Sequence, residues 1–329
     1  MFTPVHTTFG ALMLFQSSTG LLLHNGAVLG ISSLLSGAVL NPTRDNVALI
    51  AGLASSVVPV ALFLPSAIPS YPAAPSSWGS WLLTVGHGFL LGWGTKNGRG
   101  CTSGHMLCGI SRLSPRSFIA TAVFFTTALL TANFFAGGSI PPCAGGTPCY
   151  MPVYPSTSEL AVMLTTTLVT SMMNFVVVPR TLDRSERSTT IFSYLAGLEF
   201  GVGLLFSGMA DPVKVLRFFA FLSDPSRFDP SLALIILFGI GPSLITYFSA
   251  KPGQPTEDKA ERSPTLAARW KLPTATVADI DWRFVAGGVT FGLAWGLRGV
   301  CPGPAILRSV LQPVWGLAEM TGFMLGNMV

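Results

Sequence analysis

Charged side chains are scarce in this chain. Lys, Arg, Asp and Glu make up 10% of its 329 residues, against about 25% in a soluble domain, so little of the surface is built to face water. Sustained alternation of apolar and polar residues is also missing, which excludes a membrane barrel. A backbone that crosses lipid must then satisfy its polar groups within helices. No Cys-x-x-Cys occurs, which removes the usual close dithiol of a redox protein. The glycine-rich run 94–104 lacks a strand before it and a Gly-Lys-Ser/Thr ending, so it is not a phosphate loop. Two separated cysteines with one nearby histidine fall short of a metal site. No cofactor is expected. Residues 1–10 lack the layout of a cleavable signal, so the first apolar segment itself is expected to direct insertion.

What is present is apolar. Half of the residues are hydrophobic, and the mean hydropathy is +0.58. Segments 47–64, 118–136, 160–178 and 231–248 approach or reach the roughly 20 residues that a helix needs to cross a hydrocarbon core of ~30 Å. The expected fold class is therefore all-α, a polytopic membrane protein. The net charge of +5 does not point to nucleic acid, because the basic residues lie in short segments between the apolar runs, where they act as orientation signals. Arg44, the pair Arg112 and Arg116, the trio Arg180, Arg184 and Arg187, and Lys251, Lys259, Arg262, Arg269 and Lys271 mark four inner segments. Loops 65–80 and 137–159 carry no Lys or Arg and read as outer. The assignments alternate along the chain, with the N-terminus outside and the C-terminus inside a plasma membrane.

Internal repetition sharpens this. Gly88-x3-Gly92-x8-Cys101 has the same spacing as Gly288-x3-Gly292-x8-Cys301, and each cysteine follows a glycine-rich break. A weaker echo links 21–26 with 203–208. The charge pattern starts the first half outside and the second inside, so the repeats are expected to be inverted: residues 1–136, then an outer loop, linker helix and inner loop over 137–190, then residues 191–329 with a polar cytoplasmic loop at 251–281. About nine transmembrane helices result. Inverted halves with interrupted segments at matching positions are the best sequence pointer to a transporter's site.

The breaks carry the candidate chemistry. Residues 81–93 and 102–112 each read as too short to cross, hence as two half-helices meeting at an irregular turn, and such backbone survives in a membrane only when buried in protein or lining a cavity. Thr102 and Ser103 suit a helix cap, and Pro302 suits a first helical turn. Both half-helices would aim free N–H groups and the positive end of a dipole near a cysteine. Lys96, Arg99 and Arg298 would add positive charge, and charge inside a membrane marks function by default. Cys101 and Cys301 are thus candidate path residues. Cys108, about two helical turns beyond Cys101, is too far to bridge to it. His105 could hydrogen-bond the permeant species or a carbonyl. His24 and His87 read as core residues, Glu199 as a proton carrier or a cation's partner, and Asp211 as paired with Lys214 within one turn. Cys143 and Cys149 share an outer loop, where a structural disulfide is expected on an oxidising side.

The motifs Gly100-Cys101-Thr-Ser-Gly-His105 with Cys108-Gly-Ile-Ser-Arg-Leu-Ser114, Leu23-His-Asn25-Gly26, Phe206-Ser-Gly208-Met-Ala-Asp-Pro212-Val-Lys214 and Gly299-Val-Cys301-Pro-Gly-Pro304 resemble the YeeE/YedE sulphur-transport family along nearly the whole chain. The resemblance implies an hourglass-shaped permease with re-entrant helices. In it, thiols along a narrow path hand thiosulphate inward by weak S–H hydrogen bonds, and a cytoplasmic sulphur-transferase could receive it. Cys101 and Cys301 are the residues it points to, with Cys108 from the signature of the nearest relatives. Thiosulphate permeases of the family can carry a further cysteine in the first repeat, and here none precedes Cys101, which leaves sulphide, a persulphide or another small sulphur oxyanion open beside thiosulphate. A permease rather than an enzyme is expected. The rival is a membrane thiol-disulphide oxidoreductase or persulphide-handling protein using the same cysteines.

Overall fold

A computed structural model of the chain describes residues 1–135, 140–253 and 263–329; of the inner cations named above, Lys259 and Arg262 lie outside the described residues, as do 136–139 at the boundary of the first segment. The described residues are helical and form no strand beyond two isolated bridges, Phe2 with Pro152 and Ala27 with Lys271. In chain order the helices are α1 (Pro4–Asn25), α2 (Ile31–Leu40), α3 (Arg44–Phe63, with a joint at Ser56), α4 (Trp78–Asn97), α5 (Ser103–Ile110), α6 (Pro115–Phe134), α7 (Thr157–Thr181), α8 (Glu186–Ser207), α9 (Pro212–Phe219), α10 (Pro230–Ala250), α11 (Trp282–Arg298), α12 (Pro302–Leu311) and α13 (Pro313–Met328).

Their ends are set by local chemistry. Side chains of Thr43, Ser77, Ser156, Ser185 and Asp281 accept hydrogen bonds from the first turns of α3, α4, α7, α8 and α11, satisfying amides that have no partner within the helix. Proline opens α9, α12 and α13, where its missing N–H costs nothing. Left-handed glycines, Gly26 and Gly208, end α1 and α8.

Six helices precede α7 and six follow it, in the same order of long and short. The packing follows that order too. α4 packs on α13 as α11 packs on α6, α3 packs on α8 as α10 packs on α1, and the two remaining large interfaces, α1 with α8 and α4 with α11, join like to like.

The protein is a polytopic helical membrane protein. Among the described residues five helices, α3, α6, α7, α8 and α10, are long and apolar enough to cross a membrane, and α11 with α12, bent by 41°, is a sixth if taken as one span. About nine were expected from the sequence. The difference lies in α1, α4 and α13, which are 22, 20 and 16 residues long. Helices wrapped by protein need not be apolar all round: α1 buries Gln16, Ser17, Ser18 and Thr19. The segment before the first break also runs farther than 81–93. Helix α4 has 20 residues, so of the helices that flank the two breaks the short ones are α5 and α12, of 8 and 10 residues.

Candidate functional site

The two cysteines of the matched motifs meet at one place. Cys101 and Cys301 line a single cavity of about 110 Å³ together with Thr102, Ser103, Gly303 and Pro304 from the two breaks. Both thiols are buried and free of disulfides. Each cysteine stands at the start of a short helix, and its carbonyl accepts the first bond, from the His105 amide at 2.9 Å and from the Ala305 amide at 3.0 Å. Neither α5 nor α12 has a side chain capping its first amides. Two uncapped helix starts therefore converge on the cavity, an arrangement that favours negative charge. The two breaks also touch directly: the Thr102 hydroxyl donates to Cys301 Sγ at 3.7 Å. Cys101 Sγ lies 3.2 Å from Ser103 Oγ, and Ser103 Oγ accepts from the Ile31 amide at 3.0 Å, which ties the start of α2 to the break.

The rest of the wall is apolar. Phe125 and Phe218, Phe200 with Leu204, Met209, and Trp295 surround the breaks, with Leu232, Ile236 and Ile240 contributed by α10. Trp295 is fixed by an edge-to-face contact with Phe219, with centroids 4.9 Å apart. None of these residues was singled out in the sequence, because an aromatic that lines an internal cavity and one that faces lipid look alike there.

The other expected path residues lie elsewhere. Cys108, although only seven positions after Cys101, lines a separate small cavity with Ser18, Thr19, Ser111, Arg112 and Tyr247. Leu107 faces the central cavity instead. Helix α5 is wound as a π-helix, a form often found at functional sites. His105 does not line the cavity. It sits beneath the break, with Nε2 3.0 Å from the Gly98 carbonyl and Nδ1 3.2 Å from Ser117 Oγ. Gly100, at φ 152, closes over its ring so tightly that a Cβ there would lie 2.7 Å from Nε2. His105 is thus a brace for the loop that carries Cys101.

Lys96, Arg99 and Arg298 are not among the cavity residues. Lys96 and Arg99 are exposed, and Arg99 pairs with Asp281 at 3.9 Å beside the start of α11. Arg298, at the other end of that helix, reaches Thr84 Oγ1 at 3.5 Å. The two arginines therefore mark opposite ends of α11 and do not form one cationic ring.

Buried polar groups answer the remaining sequence readings. His87 is held on both nitrogens, by Glu319 at 2.6 Å and the Ala294 carbonyl at 3.0 Å. His24 Nε2 bonds the Asn174 carbonyl at 2.8 Å, and the Asn174 side-chain amide donates to Glu199 at 2.7 Å, so Glu199 is held by an amide and not by a cation. Lys214 does not form its ion pair with Asp211. Asp211 caps the start of α9 through the Val213 amide, while Lys214 bonds Thr3 and pairs with Asp229 at 3.9 Å. Cys143 and Cys149 are joined by a disulfide; their loop is held by bonds between Phe2 and Cys149 and between Cys149 and Ser226.

Arg308 escaped the sequence reading. It is buried in α12, stacked over Trp315 at 4.2 Å and Tyr71 at 5.0 Å, and donates to the Pro72 carbonyl. Its only sequence signal is a lone charge within an apolar stretch. Burial pushes the Tyr71 hydroxyl above its ordinary range.

A family model described as a family of unknown function (DUF6691) matches residues 188–328. A Xylella fastidiosa (strain 9a5c) protein named "Probable transporter" is 42% identical over 121 residues, which cover 36% of this chain and 75% of that protein. A second of the same name, from strain Temecula1 / ATCC 700964, is 38% identical over 128 residues, covering 38% of this chain and 90% of the relative. From those shares, both relatives are about half as long as this chain.

Proposed function

Since the chain belongs to the family of these Xylella fastidiosa probable transporters, we propose that it is a permease of the YeeE/YedE type, taking up a small sulphur-containing anion, with thiosulphate the first choice, between Cys101 and Cys301. The observation that carries this reading is the one cavity shared by both thiols and both uncapped helix starts. In this reading residues 1–136 and 191–329 are inverted repeats joined through 137–190, and the half-length relatives are consistent with a unit of that size.

The chemistry follows from the lining. An anion in an apolar chamber loses its water, a large cost unless fixed dipoles replace it. Here the helix starts, the Thr102 and Ser103 hydroxyls and the two thiols do so. Thiols are weak donors, so the anion is held loosely enough to leave, as conduction requires. A chamber of about 110 Å³ is far below the 300–1,000 Å³ of a drug-sized ligand site and suits an ion of a few heavy atoms. Cys108, in the next small cavity beside Arg112, is the following station towards the inner face, and a cytoplasmic sulphur-transferase is the receiving partner.

The test is uptake of labelled thiosulphate by purified protein in sealed liposomes, with sulphate and sulphide as competitors. Thiosulphate accumulation that sulphide reduces and sulphate does not is the expected result. No uptake, together with thiol–disulphide exchange between Cys101 or Cys301 of the liposome-bound protein and an added disulphide, would overturn the permease reading in favour of the oxidoreductase.

A further inference from the structure

A cavity larger than the one at the cysteines lies away from them. A cleft of about 580 Å³ is bounded by the start of α3 (Thr43, Arg44, Asp45), the start of α8 (Arg184, Ser185, Glu186, Thr189, Thr190) and the segment Leu266–Lys271. This segment is a strap laid across the end of α1: the amides of Thr265 and Leu266 bond the Leu23 and His24 carbonyls, and that of Lys271 bonds the Gly26 carbonyl at 2.7 Å. Leu266 is buried beneath it. The cleft is thus a built feature.

Among the described residues its charge is unbalanced. Arg44, Arg184, Arg269 and Lys271 face Asp45 and Glu186. Asp45 is already engaged, accepting from the Thr190 hydroxyl at 2.8 Å and the Thr189 hydroxyl at 3.3 Å, which locks the two helix starts together. Arg184 is engaged as well, by Ser263 Oγ and the Pro264 carbonyl. Arg44, Arg269 and Lys271 remain as the cations available to a ligand, beside the positive ends of two helix dipoles. Among the described residues no aromatic side chain lines the cleft, so a nucleobase would have nothing there to stack on. An anionic group held by charge is what fits.

The surroundings specify its carrier. One helical turn along α3 from Arg44 stands exposed Val47, and next to Thr190 on α8 stands exposed Ile191. Both helices are long and apolar enough to cross a membrane, so their exposed apolar side chains face lipid tails. A ligand whose head is a phosphate and whose body is a pair of acyl chains would satisfy both surfaces. We propose that the cleft binds the phosphate headgroup of an anionic phospholipid and so clamps α3, α8 and the strap at one membrane face. Basic pockets between membrane helices commonly take such headgroups.

The experiment uses the full chain in nanodiscs of phosphatidylcholine, with and without phosphatidylglycerol or cardiolipin, read by native mass spectrometry for retained lipid and by thermal unfolding. The combined variant Arg44→Gln, Arg269→Gln, Lys271→Gln is compared with Arg180→Gln, Arg187→Gln, which removes exposed cations outside the cleft. A second arm adds inorganic phosphate and glycerol phosphate to protein in detergent. The expected result is retention of anionic lipid that falls about tenfold or more in the cleft variant and is unchanged in the control, with the lipid-dependent rise in unfolding temperature lost in parallel. Equal retention by both variants would overturn the site. Equal stabilisation by soluble phosphate and by lipid would overturn the lipid as its source.

Discussion

The two breaks share a spacing and differ in how they are closed. Around Cys301, α12 is an α-helix opened by Pro302, and its far end is sealed by Arg308, stacked between Tyr71 and Trp315. Around Cys101, α5 is a π-helix with no proline. The position that corresponds to Arg308 at the repeat offset is Cys108, which opens onto a second small cavity. One short helix carries a cation stacked on aromatics, while the other carries, at the matching position, a thiol that lines a separate small cavity with hydroxyls and Arg112. The difference teaches that matched motifs need not have matched surroundings: one short helix ends on a stacked cation, and the other stands beside a second small cavity.

The largest effect that would sharpen this comparison concerns how the break-bearing helices are held. A Cβ on Gly88 would collide with the Glu319 backbone carbonyl, which cannot move without parting α4 from α13, whereas one on Gly288 meets only the Val123 side chain at 3.0 Å. Gly88→Ala is expected to destabilise by about 2–3 kcal/mol through overpacking. Gly288→Ala is expected to be near neutral, since a gain of about 1 kcal/mol in helix propensity offsets the adjustment. Thermal unfolding in detergent measures both, and equal losses would break the asymmetry.

Next in size is the plug. Arg308→Gln removes two cation–π contacts, each worth about 0.5–1 kcal/mol or somewhat more when desolvated, so a loss of about 1–2 kcal/mol is expected in the same assay. Cys108→Ala at the matching position is expected to cost under about 1 kcal/mol, because Arg112 is anchored on the Cys108 carbonyl and not on its sulphur. In uptake the order reverses: Cys108→Ala lowers the rate about two- to threefold, a small change in binding energy, while Arg308→Gln leaves the rate per folded molecule unchanged. A rate loss at Arg308 equal to that at Cys108 would contradict the reading of one plugged and one open end.

Much of this was legible in the sequence because membrane helices announce themselves by length and apolarity, and breaks by glycine. The expected spans at 160–178 and 231–248 fall inside α7 and α10, and that at 47–64 overruns α3 by one residue. That Cys101 and Cys301 share a cavity was legible because the same spacing occurs twice. What was not legible depends on contacts distant in sequence. Lys214 pairs with Asp229, fifteen residues on, since α9 ends between them and the chain turns back. Lys96 and Arg99 read as part of the path because they are adjacent to Cys101 in sequence, but α4 runs to Asn97 and leaves them at the exposed end of that helix. The π winding of α5 left no sign in its residues, and Phe125, Phe218 and Trp295 gave no hint of which way they face.

The central claim is that Cys101 and Cys301 line one passage for a sulphur anion. It is tested most directly by labelled thiosulphate uptake in cells lacking their own transporters, comparing wild type with Cys101→Ala and Cys301→Ala at matched membrane expression. Loss of about tenfold or more in each variant, equivalent to at least ~1.4 kcal/mol, is the predicted result. Wild-type uptake in either one would contradict the account.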